Sequence, residues 1–238
     1  MKPYVLIHTL MTLDGKINSV DVPRFTGTSE LYQALALYPD QQVFDIDGYL
    51  NGRTSTDDNI THYRTPAVNE KAAPVPEGDF VAVDDATMYY ISMDPWGRLG
   101  WETNDVFYGK VHAHVIEILT DQVSNAYKAF LRQLNISYII AGENAIDKPL
   151  ALRKLAELFN IQRMMIGGVI NWSFLSEGLV DEVSILMGAF ANGDPDMPAL
   201  FTAKAGLSEI KPIAFELIDV QALEHDAVWL RYKVKGNE

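Results

Sequence analysis

"RMMIGGVINWSFLSEGLVDEVSILMG" (residues 163–188) decides the fold of this 238-residue chain. A short apolar run ends at Gly167-Gly168, a helix-like segment follows at about 171–177, and a second apolar run begins at Glu182. A strand, a turn, a helix and a strand in this order are typical of a parallel α/β sheet. The glycine pair permits a tight turn, and it equally permits a ligand to approach the backbone. The residues alone leave both interpretations open.

The segment before this stretch continues the same alternation. Apolar residues recur at helical spacing after Ser124 and around Pro149, and the strand-like "SYIIAGE" ends at Gly142 between them. Two apolar runs at 213–220 and 227–234 predict an antiparallel hairpin at the C-terminus. We therefore predict a three-layer α/β/α fold with a mostly parallel central sheet and this hairpin at its end.

The N-terminal half adds further elements but no clear linker. We predict a helix at 29–37, a long polar loop at 51–79, and strands at 4–10, 43–49, 80–83, 89–93 and 114–119. The segments on either side of the Pro-rich stretch 66–79 are too strand-rich to bury their own faces. A single domain spanning residues 1–238 is therefore expected.

Composition limits the partners of the chain. The formal net charge is −13, which argues against nucleic acid or an anionic membrane surface. Cysteine is absent, which is typical of a reducing cytoplasm, and no apolar stretch approaches the length of a membrane span. The pair His112 and His114 has no third ligand at metal spacing, so no metal site is predicted.

The polar loop holds the densest group of candidate functional residues. Arg53 precedes Thr54 and two further hydroxyl residues, which is a plausible site for a phosphate group. Asp57 and Asp58 are adjacent and would diverge on a regular element, so they do not form an acid/base pair, and each is a separate candidate for a catalytic acid. A glycine turn between a strand and a helix also suits phosphate, and such turns occur at Gly142 and at Gly167, Gly168, Val169 and Ile170.

Taken together, these motifs resemble a known family. "MIGGVINWSFLSEGLVDEVSILMG" is similar to the signature of the riboflavin-biosynthesis pyrimidine reductases, whose fold is shared with dihydrofolate reductase. "MTLDGKI" resembles the family's "S-x-DGKI", "PRFTG" its "WITG", and "TSTDDNITHYR" its "T-x-x-x-DDP-x-L-T-x-R". These motifs occur in family order over most of the chain.

The resemblance implies a homodimeric enzyme that transfers hydride from NADPH to a ribosylated pyrimidine phosphate and so opens the ribose to a ribityl chain. It assigns Arg53 to the 2′-phosphate of the cofactor, Gly142 to the nicotinamide half, and Arg64 to the substrate phosphate. It further implies that the cofactor is held by Thr54, Asp57, Gly167, Gly168, Val169 and Ile170. Thr26 and Ile166 occupy positions expected at the substrate.

The chain also departs from the family pattern. Ile166 stands where family members commonly carry a substrate-binding glutamate, and Asn59 replaces the proline of "DDP". The positions assigned to the cofactor match the family pattern better than the positions assigned to the substrate. The alternatives are a reductase of the same fold that acts on a different carbonyl, imine or pteridine-like substrate, and a non-enzymatic nucleotide-binding domain.

Overall fold

Two compact units make up the chain in the computed structural model, which describes residues 2–17, 23–108, 110–203 and 212–235. The middle unit comprises Met1–Pro3 and Asp47–Met164, and the terminal unit comprises Tyr4–Ile46 and Met165–Glu238. After its first three residues the chain therefore enters the terminal unit, leaves it after Ile46, and returns to it after Met164. That all 238 residues form a single domain stays a prediction.

Helices and strands alternate along most of the chain. Their order is β1 (Tyr4–Met11), α1 (Pro23–Leu37), β2 (Gly48–Gly52), α2 (Arg53–Thr56), a π-helical turn (Asp57–Thr61), β3 (Tyr89–Met93), β4 (Asp105–Tyr108), β5 (Val111–Leu119), α3 (Asn125–Gln133), β6 (Ser137–Ile140), α4 (Lys148–Phe159), β7 (Arg163–Ile166), a 3-10 turn (Gly168–Ile170), α5 (Asn171–Ser176), β8 (Glu182–Met187), β9 (Phe215–Ala222) and β10 (Val228–Val234). No helix within the described ranges is long and apolar enough to cross a membrane.

The middle unit is built on parallel strands. β2 pairs with β3 and β3 with β5 in parallel, and β5 also pairs with β6 in parallel and with β4 in antiparallel orientation. The parallel strands are largely buried on both faces, as such strands usually are, and Leu50, Ile91 and Ile116 are at most 1% exposed. The carboxyl ends of β2 and β3 consequently lie side by side.

Local signals set the two long helices of this unit. The Ser124 hydroxyl accepts a hydrogen bond from the Tyr127 N–H at the start of α3. The Asp147 carboxylate accepts from the Leu150 N–H at the start of α4, where Pro149 lies in the first turn. Both helices lie where the helical spacing of apolar residues predicted them.

The terminal unit combines both kinds of strand pairing. β1 and β8 are parallel, whereas β8 with β10 and β10 with β9 are antiparallel. The antiparallel C-terminal hairpin is thus confirmed, together with the α/β class and the mostly parallel pairing of the other strands. Buried polar groups connect these strands, because His8 contacts Ser184, and Ser184 accepts from Trp229.

Several predicted boundaries in the N-terminal half were wrong. The helix predicted at 29–37 already begins at Pro23, and the strand predicted at 43–49 is found at Gly48–Gly52. Asp45 has a left-handed backbone (φ 48°), which interrupts an extended run before that strand. The segment 80–83 forms only a bridge between Phe80 and Tyr138. The predicted loop 51–79 contains α2 and the π-helical turn.

Candidate functional site

An irregular helical segment follows β2 directly. α2 continues into the π-helical turn Asp57–Thr61, and His62 and Tyr63 then adopt left-handed backbone conformations (φ 50° and 56°). Such π turns and left-handed non-glycine residues cost energy and cluster at functional sites. The Thr56 hydroxyl lies 2.8 Å from Ser92 Oγ, which ties the segment to β3. The end of β2 is therefore a candidate site.

Asp57 orients a neighbouring arginine. Its side chain is buried, Oδ2 accepts from Arg53 Nη1 at 2.5 Å, and Oδ1 accepts from the Thr61 hydroxyl at 2.7 Å. Since both oxygens are engaged, the geometry suits Asp57 to holding Arg53 rather than to proton transfer. Asp58 is exposed and accepts from the Tyr63 hydroxyl, and this hydrogen bond raises the pKa of Tyr63.

Three arginines surround one pocket of about 320 Å³ in the middle unit. The pocket is lined by Arg53, Asp57, Tyr63, Arg64, Thr65, Pro66, Gly97 and Arg98. We call it the arginine pocket, after Arg53, Arg64 and Arg98. Converging guanidinium groups suit phosphate or carboxylate oxygens. The structure thus brings together three residues predicted from the sequence, Arg53, Asp57 and Arg64, while Thr54 is exposed next to Arg53.

The guanidinium groups of the arginine pocket differ in their partners. Arg53 is paired with Asp57, and Arg64 with Glu102 at 3.0 Å. Arg98 is exposed and makes no ion pair with any described residue. Sequence reasoning missed Arg98 because "DPWGRLGWE" is a turn-rich connection. Its position just after the strand 89–93, at the carboxyl end, was the available signal.

Gly142 lies at the end of β6 in the same unit. Its backbone is left-handed (φ +106°), and an added Cβ would lie 2.0 Å from the carbonyl oxygen of Ala145. The turn itself therefore requires glycine at this position. Its predicted contact with the nicotinamide half of a cofactor stays a prediction.

The glycine pair lies in the terminal unit, between β7 and α5. Ile166 is fully buried at the end of β7, Gly167 is extended, and Gly168 is left-handed (φ +81°). The 3-10 turn from Gly168 to Ile170 leads into α5, and Val169 is 40% exposed. The predicted order of strand, glycine turn and helix is confirmed.

Asn171, directly after this turn, has a fully buried side chain. Neither its Nδ2 nor its Oδ1 has a hydrogen-bond partner in the part of the chain that the structure describes. A buried amide without partners is rare in native proteins and calls for a water molecule or a polar ligand atom. The glycine turn and this amide fit a ligand that carries phosphate and amide groups, as a nicotinamide dinucleotide does. Thr26, by contrast, is exposed on α1.

The histidine pair on β5 has an acidic neighbour. Asp105 Oδ1 on β4 lies 3.2 Å from His112 Nε2 and 3.8 Å from His114 Nδ1, and burial lowers the pKa of His114. Among the described residues, no group of three or more histidine and acidic side chains is placed to hold a metal ion.

Comparison with known proteins identifies the family. Residues 3–229 match the family described as RibD C-terminal domain. The 2,5-diamino-6-ribosylamino-4(3H)-pyrimidinone 5′-phosphate reductase of Methanothermobacter thermautotrophicus is 27% identical over 240 residues, which cover 99% of this chain and 100% of that protein.

Solved structures agree in fold. RibD of Acinetobacter baumannii is 18% identical with a TM-score of 0.59, and the match covers 98% of this chain but only 58% of that one. A pyrimidine reductase-like protein of Corynebacterium diphtheriae is 13% identical with a TM-score of 0.63, over 99% and 93% of the two chains. The expected dihydrofolate reductase-like fold is thereby confirmed. Because the family match extends over nearly the whole sequence, the protein belongs to the RibD C-terminal domain family.

Proposed function

We propose that this protein is an NADPH-dependent reductase of riboflavin biosynthesis that reduces a ribosylaminopyrimidine 5′-phosphate. The arginine pocket carries the proposal, because Asp57, Tyr63 and Arg64 of the family-like "TSTDDNITHYR" segment line it. Family membership and the name of the archaeal relative support the substrate class. We further propose that it is a homodimer, as the family resemblance implies, and that it works in the cytoplasm, as the absence of cysteine suggests.

Two groups of residues would hold the ligands. In the middle unit, Arg53 and its neighbour Thr54 suit the phosphate groups of NADPH, and Arg64 suits the substrate phosphate. In the terminal unit, the backbone from Gly167 to Ile170 suits the dinucleotide phosphates. The cofactor supplies the hydride, so the protein contributes to catalysis by binding and orienting the ligands and by electrostatic stabilisation. Asp57 serves by fixing Arg53 through its 2.5 Å ion pair.

A different substrate is the second candidate. Ile166 is fully buried and apolar at a position where a substrate-binding glutamate is expected from the family resemblance. A buried isoleucine cannot accept hydrogen bonds from a diaminopyrimidine ring. This observation favours a reductase of the same fold that acts on another carbonyl, imine or pteridine-like substrate.

Calorimetry followed by a turnover assay tests the proposal. We expect NADPH to bind more tightly than NADH, and NADPH oxidation to follow addition of the ribosylaminopyrimidine phosphate. Oxidation with dihydrofolate but not with the pyrimidine would favour the second candidate. Failure of NADPH to bind would overturn both and favour a non-enzymatic domain.

A further inference from the structure

Asp94 holds the turn that contributes Gly97 and Arg98 to the lining of the arginine pocket. Its buried carboxylate accepts hydrogen bonds through Oδ2 from the Arg98 N–H and from the Leu99 N–H, the latter at 2.8 Å. These bonds fold residues 95–99 into a turn directly after β3, and that turn presents Arg98 to the pocket. A carboxylate accepting two backbone N–H groups is a strong fixing interaction. The position of Arg98 therefore depends on Asp94.

Glu117 is a second fully buried carboxyl group on the same face of the sheet. It lies on β5 opposite Ser92 of β3, and Asp94 follows Ser92 by two residues, so that the three side chains share one face. Asp94 Oδ1 and Glu117 Oε2 have no hydrogen-bond partner among the described residues. Two ionised carboxylates at this depth would repel each other and stay poorly solvated.

The hydrogen bonds of Tyr127 identify which carboxyl group carries a proton. The Tyr127 hydroxyl lies 2.9 Å from the Leu99 carbonyl oxygen and 3.0 Å from Glu117 Oε1. A hydroxyl has one hydrogen, and a carbonyl oxygen only accepts. When Tyr127 donates to Leu99, the hydrogen in the other contact must come from Glu117. The acid form of Glu117 satisfies both contacts. Its Oε1 also accepts from the Trp101 indole N–H at 2.5 Å, which a hydroxyl oxygen can do while it donates its own hydrogen.

The electrostatic surroundings favour the same assignment. Burial, followed by the negative charge of Asp94, raises the pKa of Glu117 well above its usual range and outweighs the hydrogen bonds with Trp101 and Tyr127, which act in the opposite direction. Burial also raises the pKa of Asp94, but the N–H groups that it accepts from and the charge of Arg53 oppose this change. The titratable groups facing Glu117 are Asp94, directly after β3, and Tyr127 from α3, and Arg53 from α2 faces Asp94.

We propose that Glu117 remains a neutral carboxylic acid whose hydrogen is donated to Tyr127, and that Asp94 is thereby left as the single buried carboxylate that holds the 95–99 turn. Glu117 and Asp94 are then positioning residues for the arginine pocket. Ionisation of Glu117 at high pH places a second negative charge beside Asp94 and displaces the turn. The role in ligand binding rests on the proposed binding of NADPH; the proton assignment does not.

Infrared spectroscopy tests the proton assignment without any ligand. A carbonyl band of a protonated carboxyl group should be present in D2O at neutral pD and should be lost in E117Q. The exposed Glu157 on α4 provides the control, since E157Q should keep the band. A wild-type spectrum without this band, or an unchanged band in E117Q, overturns the assignment.

Titration of NADPH between pH 6.5 and 9.5 tests the positioning role. We expect the Kd of the wild type and of E157Q to rise about tenfold with pH, whereas the Kd of E117Q changes less than about threefold because its amide cannot ionise. An equal rise in E117Q overturns the role. If NADPH binds at no pH, the proposed function and the positioning role both fail, while the infrared band still decides the proton assignment.

Y127F provides a second variant that does not depend on the folding of E117Q. Removing the acceptor of the Glu117 hydrogen should move the midpoint of the Kd rise, and of the loss of the infrared band, to lower pH. If Tyr127 instead donates to an ionised Glu117, the midpoint moves to higher pH, and the proposal is wrong.

Discussion

At the scale of single residues, the arginine pocket raises the question of which ligand each guanidinium serves. Arg64 pairs with Glu102, which is 66% exposed, so this ion pair contributes little to stability. We expect R64A to raise the KM for the phosphorylated pyrimidine about tenfold or more, since a hydrogen bond to a charged group is worth about 1.5–3 kcal/mol. Its Kd for NADPH should change less than about twofold, as steady-state kinetics and calorimetry would show.

R53A is the matched variant and should give the reverse pattern. Loss of Arg53 should weaken the binding of NADPH and leave the binding of NADH nearly unchanged, because only NADPH carries a 2′-phosphate. If R53A and R64A weakened the same ligand to the same extent, the two arginines would form one anion site. The separate assignments would then be wrong.

The residues of this pocket were predictable from the sequence only in part. Arg64 belongs to the family-like motif and Arg53 directly precedes it, next to hydroxyl residues, so the sequence predicted both. Arg98 and Asp94 lie in a turn where polar residues follow no periodic pattern, and their importance comes from hydrogen bonds made after folding. Glu117 reads as an ordinary strand residue, and nothing in the sequence indicates that it is fully buried.

At the scale of elements, α4 should depend on the residue that precedes it. The Asp147 carboxylate accepts from the Leu150 N–H at 2.9 Å and so satisfies one of the free donors of the first turn. We expect D147A to lower the free energy of unfolding by about 1 kcal/mol, measured from the urea midpoint. E157A on the exposed face of the same helix should change it by less than about 0.5 kcal/mol. Equal effects of the two variants would argue against the capping role.

Elements were predicted well where local signals determine them. The spacing of apolar residues and the caps at Ser124 and Asp147 are encoded within a few positions, so α3 and α4 were found near their true bounds. α2 and the π-helical turn were missed because their residues are polar. They are held by contacts distant in sequence, such as that of Thr56 with Ser92. Polar composition alone predicted a loop there.

At the scale of the whole molecule, the two ends of the chain depend on each other. β1 pairs with β8, which lies about 175 residues later, and β8 in turn pairs with β10. The terminal unit therefore cannot complete its sheet until most of the chain is available, and contacts of such long range slow folding. No local sequence pattern specifies these pairings, although family resemblance predicted the fold that contains them.

The stability of the whole molecule should depend on the pH through His8. This side chain is fully buried, its Nε2–H donates to the Tyr32 carbonyl oxygen at 3.0 Å, and its Nδ1 accepts from the Ser184 hydroxyl at 2.9 Å. Ser184 in turn accepts from Trp229 Nε1 at 2.8 Å, so the chain of hydrogen bonds requires a neutral imidazole. Burial lowers the pKa of His8 from 6.5 to about 4.

The unfolded chain therefore binds a proton at His8 between pH 6.5 and 4, whereas the folded chain does not. Stability is full above pH 6.5 and is lost as the pH falls, by about 2 kcal/mol at pH 5 relative to pH 8. Urea unfolding at the two pH values should show this loss in the wild type but not in His8→Gln, which keeps a donor and an acceptor without titrating. Other groups titrate in the same pH range, but their contributions to the change in stability cancel when the wild type and His8→Gln are compared. An equal loss in both proteins would mean that His8 is not the group responsible.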